Sequence, residues 1–379
     1  MKERERLVRA YHTGRYTVSE LAEIFRVSRK TAHKFLQRYR LAGPEGLADR
    51  PHAARHHPNA VPPDIVSAVL RQKRANPTWG PLKLLPGPQD DPQTWPAAST
   101  RGLILARAGL TRARKLRRRV PPSQPFGLTQ SPNDTWCADF KGWFRTGDGQ
   151  RCDPFTVTDA YSRMLLCCRI LPRPDHAHVR PVMEQLFREH GLPVAIRTDN
   201  GSPFASTAAA GLSRLAVWWV KLGIRLERIQ PGHPEQNGRH ERMHLTLKEA
   251  CHPAAASAAA QQQRFDAFLS VFNHQRPHQA LGLRPPSALY LPSAKTYPEK
   301  LQDPVYPPGA LIRRVRSNGE IKWQGKLIFL SEALVGEAVG ITEVLEGHTV
   351  AFGPLCLGLL DPRKERLLTG IPSKLNPDL

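Results

Sequence analysis

The 379-residue sequence predicts a multidomain α/β protein. Three observations carry that expectation. Residues 1–50 alternate helical apolar spacing with short polar turns. Residues 126–292 run through short apolar strands interleaved with amphipathic helices, the pattern of a layered mixed sheet. Residues 305–370 change to two-residue alternation with glycine turns, which predicts a small β-barrel. Prolines cluster at 51–63, 86–96, 121–125 and 298–308 and mark breaks between modules.

Composition narrows the class of partner. Hydrophobic residues make up 40%, enough for buried cores, and the formal net charge is +22. A globular chain this basic is built to meet a polyanion, nucleic acid or an anionic membrane surface. Most of the excess falls in residues 1–125, so the partner-binding surface is expected there. No apolar run is long enough to span a bilayer, and the opening "MKERERLVRAYHTGRY" is too polar for a signal peptide. The expectation is a soluble intracellular protein with no membrane partner. None of the six cysteines forms a CxxC pair, which argues against a zinc knuckle. Cys167 and Cys168, in "MLLCCRIL", read as reduced thiols buried in a strand.

In "TVSELAEIFRVSRKTAHKFLQRYRLAG", Thr17 or Ser19 caps a helix that carries Leu21, Ala22 and Phe25 on one side. "RVS" makes a turn. Ser28 caps a second helix packed by Thr31, Ala32, Phe35, Leu36 and Tyr39, and Gly43-Pro44 ends it. Two helices joined this way predict a helix-turn-helix DNA-binding domain over 1–50. Arg29, Lys30, His33, Lys34 and Arg38 lie around the polar side of the second helix, placed to reach phosphates and base edges.

Residues 60–120 read as a second helical DNA-binding unit with a basic linker. One helix starts near "PPDIVSAVL" and another, capped near Ser99 or Thr100, runs through "RGLILARAGL". The prolines of "LLPGPQDDPQTWP" interrupt it. "RARKLRRR" then packs Arg114, Lys115, Arg117, Arg118 and Arg119 into one short stretch suited to tracking phosphates.

In the 126–292 core, "TWCADFKGWF", "FTVTDAYSR" and "MLLCCRIL" predict three strands close enough for hairpins. "HAHVRPVMEQLFREHG" predicts a helix ended by Gly191, and "PVAIRTDNGSPF" a strand with Asp199 at its end. This is the element order of an RNase H-like layered fold. Asp139 inside an apolar strand is costly unless something offsets its charge. A hard divalent cation does so, and Mg²⁺ favours clusters of two or three carboxylates. Phosphodiester cleavage commonly uses two such ions ~3.5–4 Å apart.

Three glutamates compete to be the third carboxylate. Glu235 lies in a bent loop before the turn signal Asn237-Gly238. Glu241 falls in the first turns of the helix "RHERMHLTLKEA", whose Met243 and Leu247 face the core. Glu249 is roughly 12 Å further along at 1.5 Å per residue. A ligand is best held on a rigid element, which favours Glu241. Lys248 shares its face and could hold a DNA phosphate. Asp159 reads as structural. Among His233, His240 and His244, which lack a cysteine partner, His240 or His244 is expected to contact DNA rather than zinc.

"WCADFKGWF", "IRTDNGSPF", "PGHPEQNGRHERMHLTLKE" and "FNHQRPHQALGLRPP", in this order, resemble the integrase catalytic core of bacterial insertion-sequence transposases, with retroviral integrases more distant. The resemblance covers residues 1 to about 290. It implies a catalytic and metal-holding triad of Asp139, Asp199 and Glu241, with Asn200-Gly201 and Asn237-Gly238 shaping the approach to it. It implies two Mg²⁺ or Mn²⁺ ions. It also implies a DNA transposase that binds the inverted repeats of its element, cleaves the ends and transfers the strand to target DNA. Such a protein would be a homo-oligomer on paired ends of double-stranded DNA, cytoplasmic and nucleoid-associated in a bacterium, with no small-molecule substrate. Asn237, His244 and Lys248 join the candidate DNA contacts. The spacing from Asp199 to Glu241 is longer than the retroviral one, which Glu235 would satisfy. The extra residues are expected as an insertion in "ASTAAAGLSRLAVWW". A DNA-binding regulator with an inactive core and an RNase H-type nuclease are the other two readings.

In the C-terminal part, "ALIRRVRSNGEIKWQGKLIFLS" predicts a hairpin turning at "NG", and "AVGITEVLEG" and "TVAFGPLCLGLL" continue the alternation. Arg313, Arg314, Arg316, Lys322 and Lys326 could add a DNA contact.

Overall fold

The computed structural model describes residues 2–49, 60–87, 90–111, 129–250, 252–361 and 363–369. The chain divides into two compact units, Met1–Pro62 and Pro63–Leu379.

The first unit holds three helices, α1 (Lys2–His12), α2 (Val18–Ile24) and α3 (Arg29–Ala42). Thr17 is the cap of α2. Its hydroxyl takes the Glu20 N–H while the Glu20 carboxylate takes the Thr17 N–H, so two orphan donors are satisfied reciprocally. Ser28 caps α3, and Gly43, at φ +60°, ends it. Leu7, Val8, Ala22, Ala32, Phe35, Leu36 and Leu47 form the core. The tight turn between α2 and α3 and this shared core realise the expected helix-turn-helix.

The second unit opens with α4 (Pro63–Ala75) and α5 (Ala98–Arg107). The cap of α5 is Ala97, with no side-chain bond, so neither Ser99 nor Thr100 caps it. The proline-rich connection is folded: Trp79 and Trp95 are buried, the Trp95 indole donates to Leu84 O, and Arg101 donates to Pro81 O and Pro96 O. The basic stretch carrying Arg114, Lys115, Arg117, Arg118 and Arg119 lies outside the described residues.

The central sheet contains β1 (Thr135–Phe140), β2 (Phe144–Arg145), β3 (Arg151–Asp159), β4 (Leu165–Leu171), β5 (Ala195–Thr198) and β6 (Arg225–Arg228). Strand β3 lies antiparallel to β1 and β4, while β5 runs parallel to both β1 and β6. The sheet is therefore mixed, as expected. α6 (His176–His190) and α7 (Arg214–Lys221) cover one face, where Trp136, Phe155, Val157, Met183, Phe187 and Trp219 pack together. α8 (Gly238–Ala250) and α9 (Ala258–His274) cover the other, through Leu165, Met243, Leu247, Phe265 and Phe272. Consecutive residues of a strand face opposite ways. Accordingly Cys167 joins the first cluster and Cys168 the second, both reduced and buried. The outer edge of β4 is met by α9: the Asn273 amide bonds both Leu165 N and Leu165 O, and Gln262 bonds Ile170 N and Cys168 O. These side chains satisfy backbone groups that an edge strand leaves unpaired.

After β5, the stretch expected as an insertion splits in two. Residues 206–211 form a loop closed by the Ala205–Leu212 bridge, and Arg214–Lys221 is α7 itself.

The C-terminal strands are β7 (Leu311–Arg314), β8 (Glu320–Trp323), β9 (Lys326–Phe329), β10 (Ala338–Val344), β11 (Gly347–Phe352), β12 (Leu355–Asp361) and β13 (Arg366–Leu368). They form one nearly closed, barrel-like sheet in the order β7-β10-β11-β12-β13-β9-β8. The expected hairpin at Asn318-Gly319 is corrected. β8 pairs with β9 across Gln324-Gly325, both at positive φ, which is the backbone a two-residue hairpin turn requires. Asn318-Gly319 does lie in a tight turn, closed by Arg316 N to Glu320 O, but the ladder partner of β7 is β10, not β8. The barrel packs onto α7. Ala216, Val217 and Val220 enter its core with Ile321, Val339, Val350 and Phe352, and Lys221 pairs with Glu337 at 2.7 Å.

Candidate active site

Three elements bring carboxylates to one end of the central sheet. Asp139 sits near the end of β1, Asp199 follows β5 directly, and Glu241 lies in the first turn of α8. β1 and β5 are parallel neighbours, so their carboxyl ends lie side by side. Phe140 N donates to Asp139 Oδ1 at 2.7 Å, and Gly201 N to Asp199 Oδ1 at 3.0 Å. A Cβ at Gly201 would stand 3.1 Å from Asp199 Oδ2, so glycine leaves that carboxylate its room. The Asn200 amide donates to Ile229 O, tying the turn to the end of β6.

Burial pushes the Asp139 carboxyl up to about 7, and the negative charges of Asp199 and then Glu241 add to the rise. A cation at this point would relieve both effects. The donor set, all carboxylate oxygens, fits a hard divalent ion. Glu235, in the short 3-10 turn Pro234–Asn237, is instead bound to His233 at 2.8 Å, a hydrogen bond that holds its carboxyl below the usual range. Asn237-Gly238 is not a free-standing turn: Gly238 has helical φ and ψ and begins α8. The side chain of Glu249 lies outside the described residues.

Among the described residues the group whose ligand-type atoms lie within 4.8 Å of one another is Asp139 with His240 and His244, not the three carboxylates. Its imidazoles are engaged by hydroxyls. Thr156 Oγ1 lies between His240 Nε2 and His244 Nε2, and also donates to Asp139 O at 3.1 Å; His240 Nδ1 meets Thr158 Oγ1 at 2.7 Å. One hydroxyl has one proton, so with that proton on Asp139 O both imidazoles donate to Thr156 through Nε2–H. Burial holds His240 well below the usual imidazole range and His244 down to about 3, with nearby Lys141 adding to the latter. Neutral His244 faces Asp139 Oδ2 through Nδ1 at 3.9 Å.

Asn237 and His244, expected to meet DNA, are both buried, and Asn237 Oδ1 has no partner among the described residues. Lys248 is exposed and lines a cavity of about 380 Å³ with Lys141, Trp143, Arg145 and His252. Burial and the charge of Lys248 lower the Lys141 ammonium, while Asp139 opposes the change. Sequence reading missed Lys141 and Thr156. Lys141 was findable, being two residues after Asp139 and so on the same side of an extended chain. Thr156 carried no local signal. Asp159 is structural as expected: it is fully buried and accepts from Asn133 N, Ser162 N and Ser162 Oγ. On α3, Arg29, Lys30, His33 and Lys34 are exposed and Arg38 is half-buried.

Residues 129–234 match a family model described as integrase core domain, and 222–286 match a second model of that description. Residues 3–55 match a helix-turn-helix domain. The chain is 30% identical over 177 residues to the insertion element IS476 uncharacterized 39.2 kDa protein of Xanthomonas euvesicatoria, covering 46% of this chain and 49% of that protein. It is 28% identical over 192 residues to the insertion element IS407 uncharacterized 31.7 kDa protein of Burkholderia multivorans, covering 48% and 64%. The chain thus spans about half of the first relative and under two thirds of the second. Among solved structures, the HTLV-2 integrase catalytic core domain in complex with magnesium aligns at 15% identity and TM-score 0.34, over 42% of this chain and 98% of that one. A simian T-cell lymphotropic virus intasome chain aligns at 17% and 0.37, over 78% and 99%. This chain therefore carries an integrase core domain behind a helix-turn-helix domain, and its kin include the insertion-element proteins of bacteria.

Proposed function

We propose that the protein is a DDE-type DNA transposase with an RNase H-like core. It binds the terminal inverted repeats of an insertion sequence, cleaves the element ends and joins them to target DNA. The observation that carries the reading is the parallel pairing of β1 and β5, which sets Asp139 and Asp199 at one end of the sheet, where the charges of Asp199 and Glu241 act on the buried Asp139 carboxyl. Two carboxylates at the carboxyl ends of parallel strands and a third on α8, with Lys141 close to Asp139, suit a phosphodiester that would be held between cations and ammonium groups. Asp139, Asp199 and Glu241 would hold the two ions. Bound there, Mg²⁺ or Mn²⁺ supplies Lewis acidity to the reacting phosphate and its nucleophile.

In the first step water attacks phosphorus, the P–O3′ bond at the element end breaks, and the oxygen leaves as a 3′-hydroxyl. In the second that hydroxyl attacks a target phosphodiester, one P–O bond forming as another breaks. No covalent protein intermediate is needed. Lys141 and Lys248 orient the phosphate, Thr156 holds the Asp139 backbone in place, and His244 anchors Thr156. The helix-turn-helix reads the repeat, with 60–120 adding contacts. The protein acts as a homo-oligomer on paired ends, in the bacterial cytoplasm beside its DNA. Among the described residues no helix is long and apolar enough to cross a membrane.

The test uses labelled duplexes carrying the inverted repeats that bracket the coding frame, with Mg²⁺. Glu241→Gln abolishes nicking and joining while binding persists, and Glu235→Gln retains most activity. Binding by the wild type without any nicking would support an inactive-core regulator; cleavage only of an RNA–DNA hybrid would support an RNase H-type nuclease.

A further inference from the structure

Behind α8 lies a cavity of about 450 Å³, and a second of about 440 Å³ shares Arg163, Arg239 and Ala280 with it. Gly238, Arg239, Arg242 and Thr246 contribute the α8 wall. Arg239, Arg242 and Thr246 lie roughly 100–180° around the helix from Glu241 and Lys248, at about 100° per residue. The cleft is therefore distinct from the face that carries the reacting carboxylate.

Its chemistry is cationic. Arg163 Nη1 and Arg239 Nη1 both donate to one acceptor, Ala160 O, the latter at 3.3 Å, so two guanidinium groups converge on a neutral oxygen. Arg242 lines the first cavity, Arg284 the second. Among the described residues none of these four arginines forms an ion pair with a carboxylate. The acid in the wall, Asp159, already accepts from Asn133 and Ser162. His278 also lines the cleft, with its Nε2 buried and unpartnered. Burial, Arg276 and Lys83 push this imidazole down to about 4, so at neutral pH it is uncharged, with its one N–H turned to the Phe272 backbone. Converging guanidinium groups with spare donors match phosphate oxygens in charge and in fork geometry.

We propose that the cleft framed by Arg163, Arg239, Arg242 and Arg284 grips backbone phosphates of duplex DNA at a second place, away from the reacting phosphodiester. The proposal rests on the transposase reading for its partner. It separates two tasks along α8: one face positions the reacting phosphate, the other anchors flanking duplex.

The experiment compares the full chain with an Arg239→Gln/Arg242→Gln/Arg284→Gln triple variant and a charge-matched control, Arg180→Gln/Arg188→Gln/Arg214→Gln, on the α6–α7 side of the sheet. Affinity for a long element-end duplex is titrated against salt, with circular dichroism to show that each variant is folded. Each lost phosphate contact lowers the slope of log K against log salt by about 0.9. The cleft triple should therefore lower it by roughly 2–3 and weaken binding about tenfold or more, equally on unrelated sequence. At saturating DNA its cleavage kcat should match the wild type, with the loss confined to KM. If the control loses as much, or the cleft triple loses nothing, the cleft is no anchor. If the wild type binds no duplex at all, the transposase reading falls with it, and that result is distinct from wild-type binding that survives the triple.

Discussion

Thr156 Oγ1 lies 2.7 Å from Nε2 of His244, joining the middle of β3 to the helix that carries Glu241. The same hydroxyl meets His240 Nε2 at 2.8 Å and donates to the carbonyl of Asp139. One fully buried side chain thus ties the strand of one candidate metal ligand to the helix of another. Thr156→Val keeps the shape and removes the hydroxyl, leaving two buried imidazole donors unpaired at about 1–3 kcal/mol each. The melting temperature should fall by several degrees, and the Mg²⁺ concentration for half-maximal nicking should rise. Thr156→Ser, which restores the hydroxyl, should return the Mg²⁺ requirement to the wild-type value. A purely structural role would lower stability and leave that requirement unchanged.

Metal binding and pH should be coupled through Asp139. Its carboxyl is raised to about 7 in the fold, above its ordinary value, so between the two the folded state holds more protons than the unfolded. Stability of the metal-free protein from this group therefore falls as pH rises through that window. A cation binds the ionised form. The gain in melting temperature on adding Mg²⁺ should accordingly be larger at pH 8 than at pH 6, and Asp139→Asn should remove the difference. Thermal melts at the two pH values check this.

Recognition by α3 should separate from catalysis. Lys30, His33 and Lys34 are exposed on a helix whose opposite side supplies Ala32, Phe35 and Leu36 to the core. Lys30→Ala/Lys34→Ala should weaken binding to element ends by roughly tenfold, about 1.4 kcal/mol, with little loss of stability. The discriminating measurement is gel-shift titration on cognate and scrambled duplexes. A substitution that lowers both equally marks phosphate contacts; one that lowers only the cognate marks base readout.

Elements whose determinants are local were legible in the sequence. Thr17 and Ser28 each carry their capping partner three residues on, and Gly191 ends α6 at positive φ. Asp139 stood out because a carboxylate in an apolar strand needs an explanation, and Asp199 because it follows a strand at the carboxyl edge of the sheet. Determinants that arise only on folding were not legible. Asn318-Gly319 and Gln324-Gly325 both suit a hairpin, and strand pairing elsewhere in the barrel decides between them. The burial of Asn237 and His244 depends on how α8 lies on β3, which no spacing on α8 reveals. Thr156 gains its place only when residues 84 and 88 positions away close onto it.

Helix α7 gives Leu215, Trp218 and Trp219 to the central sheet and Ala216, Val217 and Val220 to the barrel. It is a party wall between two rooms, with neither side able to stand as an outer surface. A fragment ending near residue 300 would bare an oily stripe to water and clump, so the two rooms should melt as one building.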